Sequence, residues 1–247
     1  MSSLTHILRR ISEAPKIDFS DLFNESVAVF KKVWLQGFIL QLITIALSLP
    51  LVIYNFSVMS ESGFDANSYE ILKKIFSEDV VDQHLGSQLF IYYILSIVLG
   101  IVSSFLSFGF FRVIRQMDIG ADFQVSEFFY FFRNGRFTKT LLMILANVGV
   151  AVLALLMCVL PIFYVMIPLM FITPIFVYNP ELSILEVLKS SFALGHKKWG
   201  ITFAITLLNI ITLYILIILS CGIGALFFSC FLQMPIYILC KKIILFK

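Results

Sequence analysis

Charge is scarce in this sequence. Of 247 residues, 13% are Asp, Glu, Lys or Arg, about half the share of a soluble domain. From Thr140 to Pro180 there is none at all. A helix that is apolar all round is either buried or inside a membrane, so this run excludes an ordinary water-facing surface. Histidine is nearly missing: His6, His84 and His196 are far apart in the chain. Cys158, Cys221, Cys230 and Cys240 have no metal-type spacing. No phosphate-cradling glycine motif, no His-Glu-x-x-His and no nucleophile elbow occurs. Catalysis needs converging ionisable groups. The best local pair, Glu186 and His196, would be about 15 Å apart along a helix and reads as capping and snorkelling. We therefore expect no enzyme, no cofactor and no metal site. The net charge of +3 is too small to suggest nucleic acid.

Apolar residues are abundant. They make up 60% of the chain, with 27 Phe. They come in continuous blocks rather than alternating, which favours helices over barrel strands. Roughly 20 apolar residues cross the hydrocarbon as a helix, and unpaired backbone is too costly in lipid for open structures. Six blocks are long enough: Leu35 to Tyr54, Leu89 to Phe111, Leu141 to Val159, Ile162 to Tyr178, Ile201 to Leu219, and Ala225 to Leu239. The expected fold is all-α, an integral membrane bundle of six transmembrane helices plus about three amphipathic interfacial helices. Reading residues 140 to 180 as one broken helix would give five spans. That helix would be about 60 Å long, twice the hydrocarbon thickness, so we disfavour it.

The polar segments fall between the blocks. Met1 to Lys16 lacks the apolar core of a signal peptide, and no cleavage is expected. Asp18 to Lys32 places Phe19, Leu22, Phe23, Val27 and Phe30 near one helical face. Residues 57 to 88 hold six acids against two bases and read as an acidic extracytoplasmic loop, with a short helix near Ser68 to Ser77. Ser126 to Phe132 gives a short aromatic helix, suited to a membrane boundary or a partner groove. Pro161 falls at an outer turn. Ser183 and Glu186 form a capping box, and Asn179-Pro180 offers a competing helix start. Leu185, Leu188 and Phe192 make the apolar stripe of that helix, which Gly195 is expected to end. Gly222 and Gly224 allow a tight outer turn. Cys158 and Cys221 would both sit near the outer face. They read either as small apolar residues of spans or as a disulfide.

Orientation follows from the bases. With both termini inside, sixteen of the eighteen Lys and Arg residues lie on the cytoplasmic side, as the positive-inside rule requires. The expected location is a bacterial-type inner membrane.

The chain also repeats itself. Ser26-Val-Ala-Val-Phe-Lys-Lys-Val-Trp34 aligns without a gap over Ser191-Phe-Ala-Leu-Gly-His-Lys-Lys-Trp199. A weaker copy is Glu127-Phe128-Phe129, followed by Arg133, Arg136 and Lys139. Each reads acid, apolar pair, bases, then a two-span hairpin. This gives three parallel units of about 18–111, 126–178 and 181–240 in a single membrane domain. The run from Asn179 to Trp199 resembles the signature of a broad bacterial family of polytopic membrane proteins. That family includes the membrane domain of some glycerophosphoryl diester phosphodiesterases and many stand-alone proteins of unknown function. The resemblance covers mainly residues 18 to 34 and 174 to 220. It implies a six-helix membrane module and carries no phosphodiesterase chemistry with it.

Two groups of residues are the candidates for function. Lys31, Lys32, Trp34, Arg112, Arg115, Arg133, Arg136, Lys139, Lys197, Lys198 and Trp199 are expected at the interface, facing lipid headgroups. Gln41, Asn147, Asn209 and Gln233 are the intramembrane polar residues, expected to hydrogen-bond between helices. The expected partners are the lipid bilayer, anionic lipids and other membrane proteins. Two functions follow. One is a membrane-organising or accessory role in a larger assembly. The other is transport or sensing of lipids or other amphiphiles, which a cavity reaching Asn147, Asn209 or Gln233 would favour.

Overall fold

A computed structural model describes residues 3–61, 83–133, 135–157 and 159–245. Most of the acidic loop, the helix expected at Ser68 to Ser77, and Cys158 lie outside the described residues. Every regular element among the described residues is helical. Six helices are long and apolar enough to cross a membrane: Phe19–Ser57, Phe90–Asp118, Phe137–Met157, Pro161–Tyr178, Trp199–Leu219 and Ile223–Ile244. The protein is an all-helical, multi-pass membrane protein.

The elements are α1 (Ser3–Ser12), α2 (Phe19–Glu61), α3 (Gln83–Asp118), a 3-10 helix (Val125–Phe132), α4 (Phe137–Met157), α5 (Val159–Tyr178), α6 (Ile184–Lys197), α7 (Trp199–Leu219), α8 (Ile223–Phe228), a second 3-10 helix (Ser229–Gln233), α9 (Met234–Cys240) and a terminal π turn (Lys241–Leu245). They divide into two compact units, Met1–Leu42 with Ser104–Lys247, and Ile43–Ser103.

In the smaller unit, polar side chains bond back to their own helix. Asn55 donates to Leu51 O and Ser96 to Tyr92 O. Large apolar side chains such as Val52, Ile53, Phe56, Phe90, Tyr93 and Ile97 are exposed, as a lipid-facing surface allows.

In the larger unit the expected separate interfacial helix of Asp18 to Lys32 is a correction. It is continuous with the first span in the 43-residue α2. Nothing in Lys32-Val33-Trp34-Leu35 breaks a helix, so backbone hydrogen bonding runs straight through. Similarly α3 does not stop at Phe111; it continues past Arg112 and Arg115 to Asp118. The sixth span, by contrast, is fragmented into α8, a 3-10 turn, α9 and a π turn. Pro235, in the first turn of α9, has no N–H to give to an unbroken ladder.

One face of the aromatic segment is buried in the protein. Its 3-10 geometry eclipses residues three apart, which puts Phe128 and Phe131 on one face, 0% and 4% exposed. Phe128 lies 6.3 Å from Phe110, and Phe131 5.9 Å from Phe108, between ring centroids. Phe108 also meets Phe176 of α5 edge-on at 5.3 Å. Gly109 makes this docking possible: a Cβ there would fall 2.2 Å from Phe128 O.

After Tyr178 the chain turns and α6 doubles back along α5. Ser183 caps it: its hydroxyl accepts from Glu186 N at 3.3 Å, and Glu186 accepts from Ser183 N at 2.8 Å. The capping box thus sets the start, and Pro180 lies before it in the turn. The antiparallel pairing shows in the order of contacts. Gly195 rests on Pro168, and His196 and Trp199 both bond Tyr164. The expected stripe of Leu185, Leu188 and Phe192 is not the buried face. Leu185 is 69% exposed, whereas Val187, Ser190, Ser191, Leu194 and Gly195 are buried. Small residues let two helix backbones approach closely. Gly195 does this rather than ending the helix, since a Cβ would fall 2.6 Å from Pro168 Cα, and α6 runs on to Lys197.

In the register that lays Ser26 over Ser191, the buried positions coincide: Leu22 with Val187, Ser26 with Ser191, Val29 with Leu194. The glycines of the turn after α7 serve two ends. Gly222 takes φ +93 and donates to Ile217 O at 2.8 Å. Gly224 lets its helix start against Leu216 O, 2.8 Å from where a Cβ would be.

Gly109→Ala should destabilise the fold by about 1–3 kcal/mol, because backbone must move to admit the methyl. Gly149→Ala, where a Cβ meets nothing within 4 Å, should be neutral or stabilising by up to about 1 kcal/mol. Thermal unfolding of both variants in mild detergent measures the contrast.

Candidate functional site

The cationic side chains of the larger unit are mostly held by protein. Asp118, at the end of α3, is the hub. Its carboxylate is 7% exposed. It accepts from Lys241 Nζ at 2.5 Å and Tyr237 OH at 2.7 Å, and lies 3.6 Å from Lys32 Nζ. Lys32 also donates to Asp118 O at 3.3 Å. One carboxylate therefore ties α2, α3, α9 and the π turn. Two bonds extend the lattice to the amino-terminal segment: Lys242 pairs with Glu25 at 2.5 Å, and Arg10 donates to Ile244 O at 2.7 Å. Beside the hub, Tyr178 OH donates to Phe111 O at 2.7 Å, with Arg115 5.5 Å over the Tyr178 ring.

A second cluster surrounds the 3-10 helix. Arg112 pairs with Glu127 at 2.5 Å and lies 3.8 Å from the centre of the Tyr130 ring. Arg136 approaches the same ring at 5.1 Å. Lys139 donates to Pro180 O at 2.6 Å and sits 5.7 Å from the Phe176 ring. Between these side chains is a cavity of about 100 Å³ lined by Phe131, Arg136, Lys139, Phe176 and Pro180. Nearby, bonding from Ser183 N–H, then from its hydroxyl, holds the Glu186 carboxyl below its ordinary range, with Lys189 and Lys139 adding to the effect.

The other cations expected at headgroups divide. Lys31, Arg133 and Lys197 are exposed. Lys198 is buried, 7% exposed, and donates to Pro15 O. Burial, and then Lys197 beside it, push its ammonium below the ordinary lysine range. Of the two tryptophans, Trp34 is 43% exposed, and its ring is 6.5 Å from Phe227. Trp199 donates to Tyr164 O at 3.1 Å and stacks on Phe203 at 4.9 Å. The intramembrane polar residues do not converge on the cavity. Gln41 accepts from Ser229 Oγ at 3.3 Å. Asn209 is 3% exposed, yet neither amide atom finds a partner. Asn147 Oδ1 and Gln233 Oε1 are likewise buried without a partner. The interhelical bonds expected of Asn147 Oδ1, Gln233 Oε1 and Asn209 are thus not formed.

Among the described residues no three His, Cys, Asp or Glu side chains gather in a metal-binding group. Sequence reasoning missed Asp118, Tyr237 and Glu25. Their partners are 86 to 217 residues away, and local periodicity carries no such information. The one available signal was an acid placed three residues after Arg115 at the end of an apolar block. No family model, curated protein or solved structure matches this chain.

The Asp118–Lys241 pair should couple by about 1–2 kcal/mol in a double-mutant cycle of Asp118→Asn and Lys241→Gln, within the range for contacting ion pairs. Additive losses of thermal stability would show that the pair does not hold these helices together.

Proposed function

We propose that the protein is a non-catalytic, multi-pass inner-membrane protein that organises membrane or serves as an accessory subunit of a larger membrane assembly. Both termini are cytoplasmic in this reading, and anionic lipids and other membrane proteins are its partners. The observation that carries it is how the polar groups of the larger unit are spent. Most of its carboxylates and cations bind one another, capping groups and backbone carbonyls, which builds a body rather than a reaction centre. The cavity is also small. At about 100 Å³ it falls below the roughly 300–1,000 Å³ of small-molecule sites, and neither Asn147, Asn209 nor Gln233 lines it. Exposed apolar side chains on every long helix, from Phe56 to Leu219, are available to lipid or to partner helices.

The three-unit repeat belongs to the same proposal, supported by the coincident burial of Leu22, Ser26 and Val29 with Val187, Ser191 and Leu194. So does the resemblance of residues 179 to 199 to the bacterial polytopic family. The reverse orientation would put sixteen bases outside, against the positive-inside rule.

Lipid or amphiphile handling is the second reading. Buried, unpartnered Asn209 favours it, because such amide atoms are costly in lipid unless something bonds them in another state.

Purification in mild detergent, with identification of what co-purifies, separates the two. The accessory role is expected to give a membrane protein in fixed stoichiometry. The chain alone, carrying a stoichiometric amphiphile, would overturn it in favour of the second reading.

A further inference from the structure

The cavity beside the 3-10 helix has a composition that its own structural role leaves unexplained. Its walls are two cations, two phenyl rings and a proline: Arg136, Lys139, Phe131, Phe176 and Pro180. Lys139 directs one bond to Pro180 O, and an ammonium has three donors. Arg136 has five donors in a rigid fork. Its contact in the structure is with the face of Tyr130, which takes none of them as a conventional hydrogen bond. Three cations, Arg112, Arg136 and Lys139, gather here, and the two carboxylates that act on them, Glu127 and Glu186, are already engaged. Glu127 is taken by Arg112. Glu186 acts on Lys139 through space but accepts from Ser183 N. Like charges repel at this range unless an anion sits among them. A guanidinium and an ammonium around a small hollow match a tetrahedral oxyanion, the guanidinium bidentate and the ammonium as a point charge. The rings of Phe131, Phe176 and Pro180 line the rest.

We infer that the Arg136–Lys139 cavity binds a phosphate group, from a phospholipid headgroup or from a soluble phosphate ester. The site lies where α4 begins and the α5–α6 turn passes, so an occupant would link the cations of α4 to that turn through Lys139 and Pro180. The inference deepens the lipid-associated role proposed above and rests on it only for the source of the phosphate.

Two probes distinguish the source. The full chain in neutral detergent is titrated with inorganic phosphate, and in phosphatidylcholine nanodiscs with increasing phosphatidylglycerol. Binding is read from the unfolding temperature and from lipid retained in native mass spectrometry. Saturable binding of both probes marks the phosphate group itself as ligand. Saturation by phosphatidylglycerol alone marks a headgroup held together with its acyl chains. In either case Arg136→Gln should weaken binding about tenfold or more, the loss of one charge-assisted contact. Lys31→Gln, exposed and outside the cavity, should leave it unchanged. Should the Gln variant fail to fold, Arg136→Lys keeps the charge and loses the fork, and binding should weaken severalfold. The inference is overturned if neither probe saturates, if Lys31→Gln costs as much as Arg136→Gln, or if Arg136→Lys binds as the unaltered chain does. Loss of the site would leave the accessory role standing, because that role is read from co-purifying protein.

Discussion

A backbone in oil has to close its own hydrogen bonds. Almost every feature of this protein follows from that constraint. It makes every regular element among the described residues helical, and it lets α2 run for 43 residues through the point where the sequence changes from polar to apolar. It also shapes the exceptions. The Ser220–Gly222 turn satisfies freed carbonyls through Gly222 N and Ser220 N. Ser and Asn side chains inside apolar helices, such as Ser26 and Asn55, bond their own preceding turn.

The same solvent changes the meaning of a hydrophobic stripe. In water, the apolar face of a helix is the buried one. With lipid outside, apolarity no longer separates inside from outside, and close packing decides instead. This is why residues 184 to 197 were legible as a helix, down to the Ser183–Glu186 cap, while their buried face was not. Leu185 lies outward, whereas Ser190 and Ser191 are buried and Gly195 lies against α5. The spans themselves were readable because the charge-free run of Thr140 to Pro180 allows little else. The short helix at Ser126 to Phe132 was readable too, but its 3-10 geometry and its buried face were not, since a run of five aromatics has no period. Its core role appears only once Gly109 is seen to admit the Phe128 carbonyl.

Charge is legible in a coarser way. The sequence assigned the cations near its apolar blocks to lipid. Of those expected at headgroups, Lys32, Arg112, Lys139 and Lys198 have protein partners, as do Lys241 and Lys242. A buried or half-buried cation needs an acceptor, and Asp118, Glu25 and backbone carbonyls supply it at closer range than a headgroup. What remains for the outside is a short set: Lys31, Arg133 and Lys197 on the surface, and the donors of Arg136 in its cavity. The candidate site is therefore smaller than the basic pattern suggested and more specific in shape.

The central claim is that apolar helices cross a bilayer repeatedly and leave the bases on one side. Compartment-sensitive reporters at Asp65 and at the carboxyl terminus test it most directly. The account expects the Asp65 reporter outside the cytoplasm and the carboxyl-terminal reporter within it. Both reporters in one compartment would contradict the topology and the assembly of units built on it.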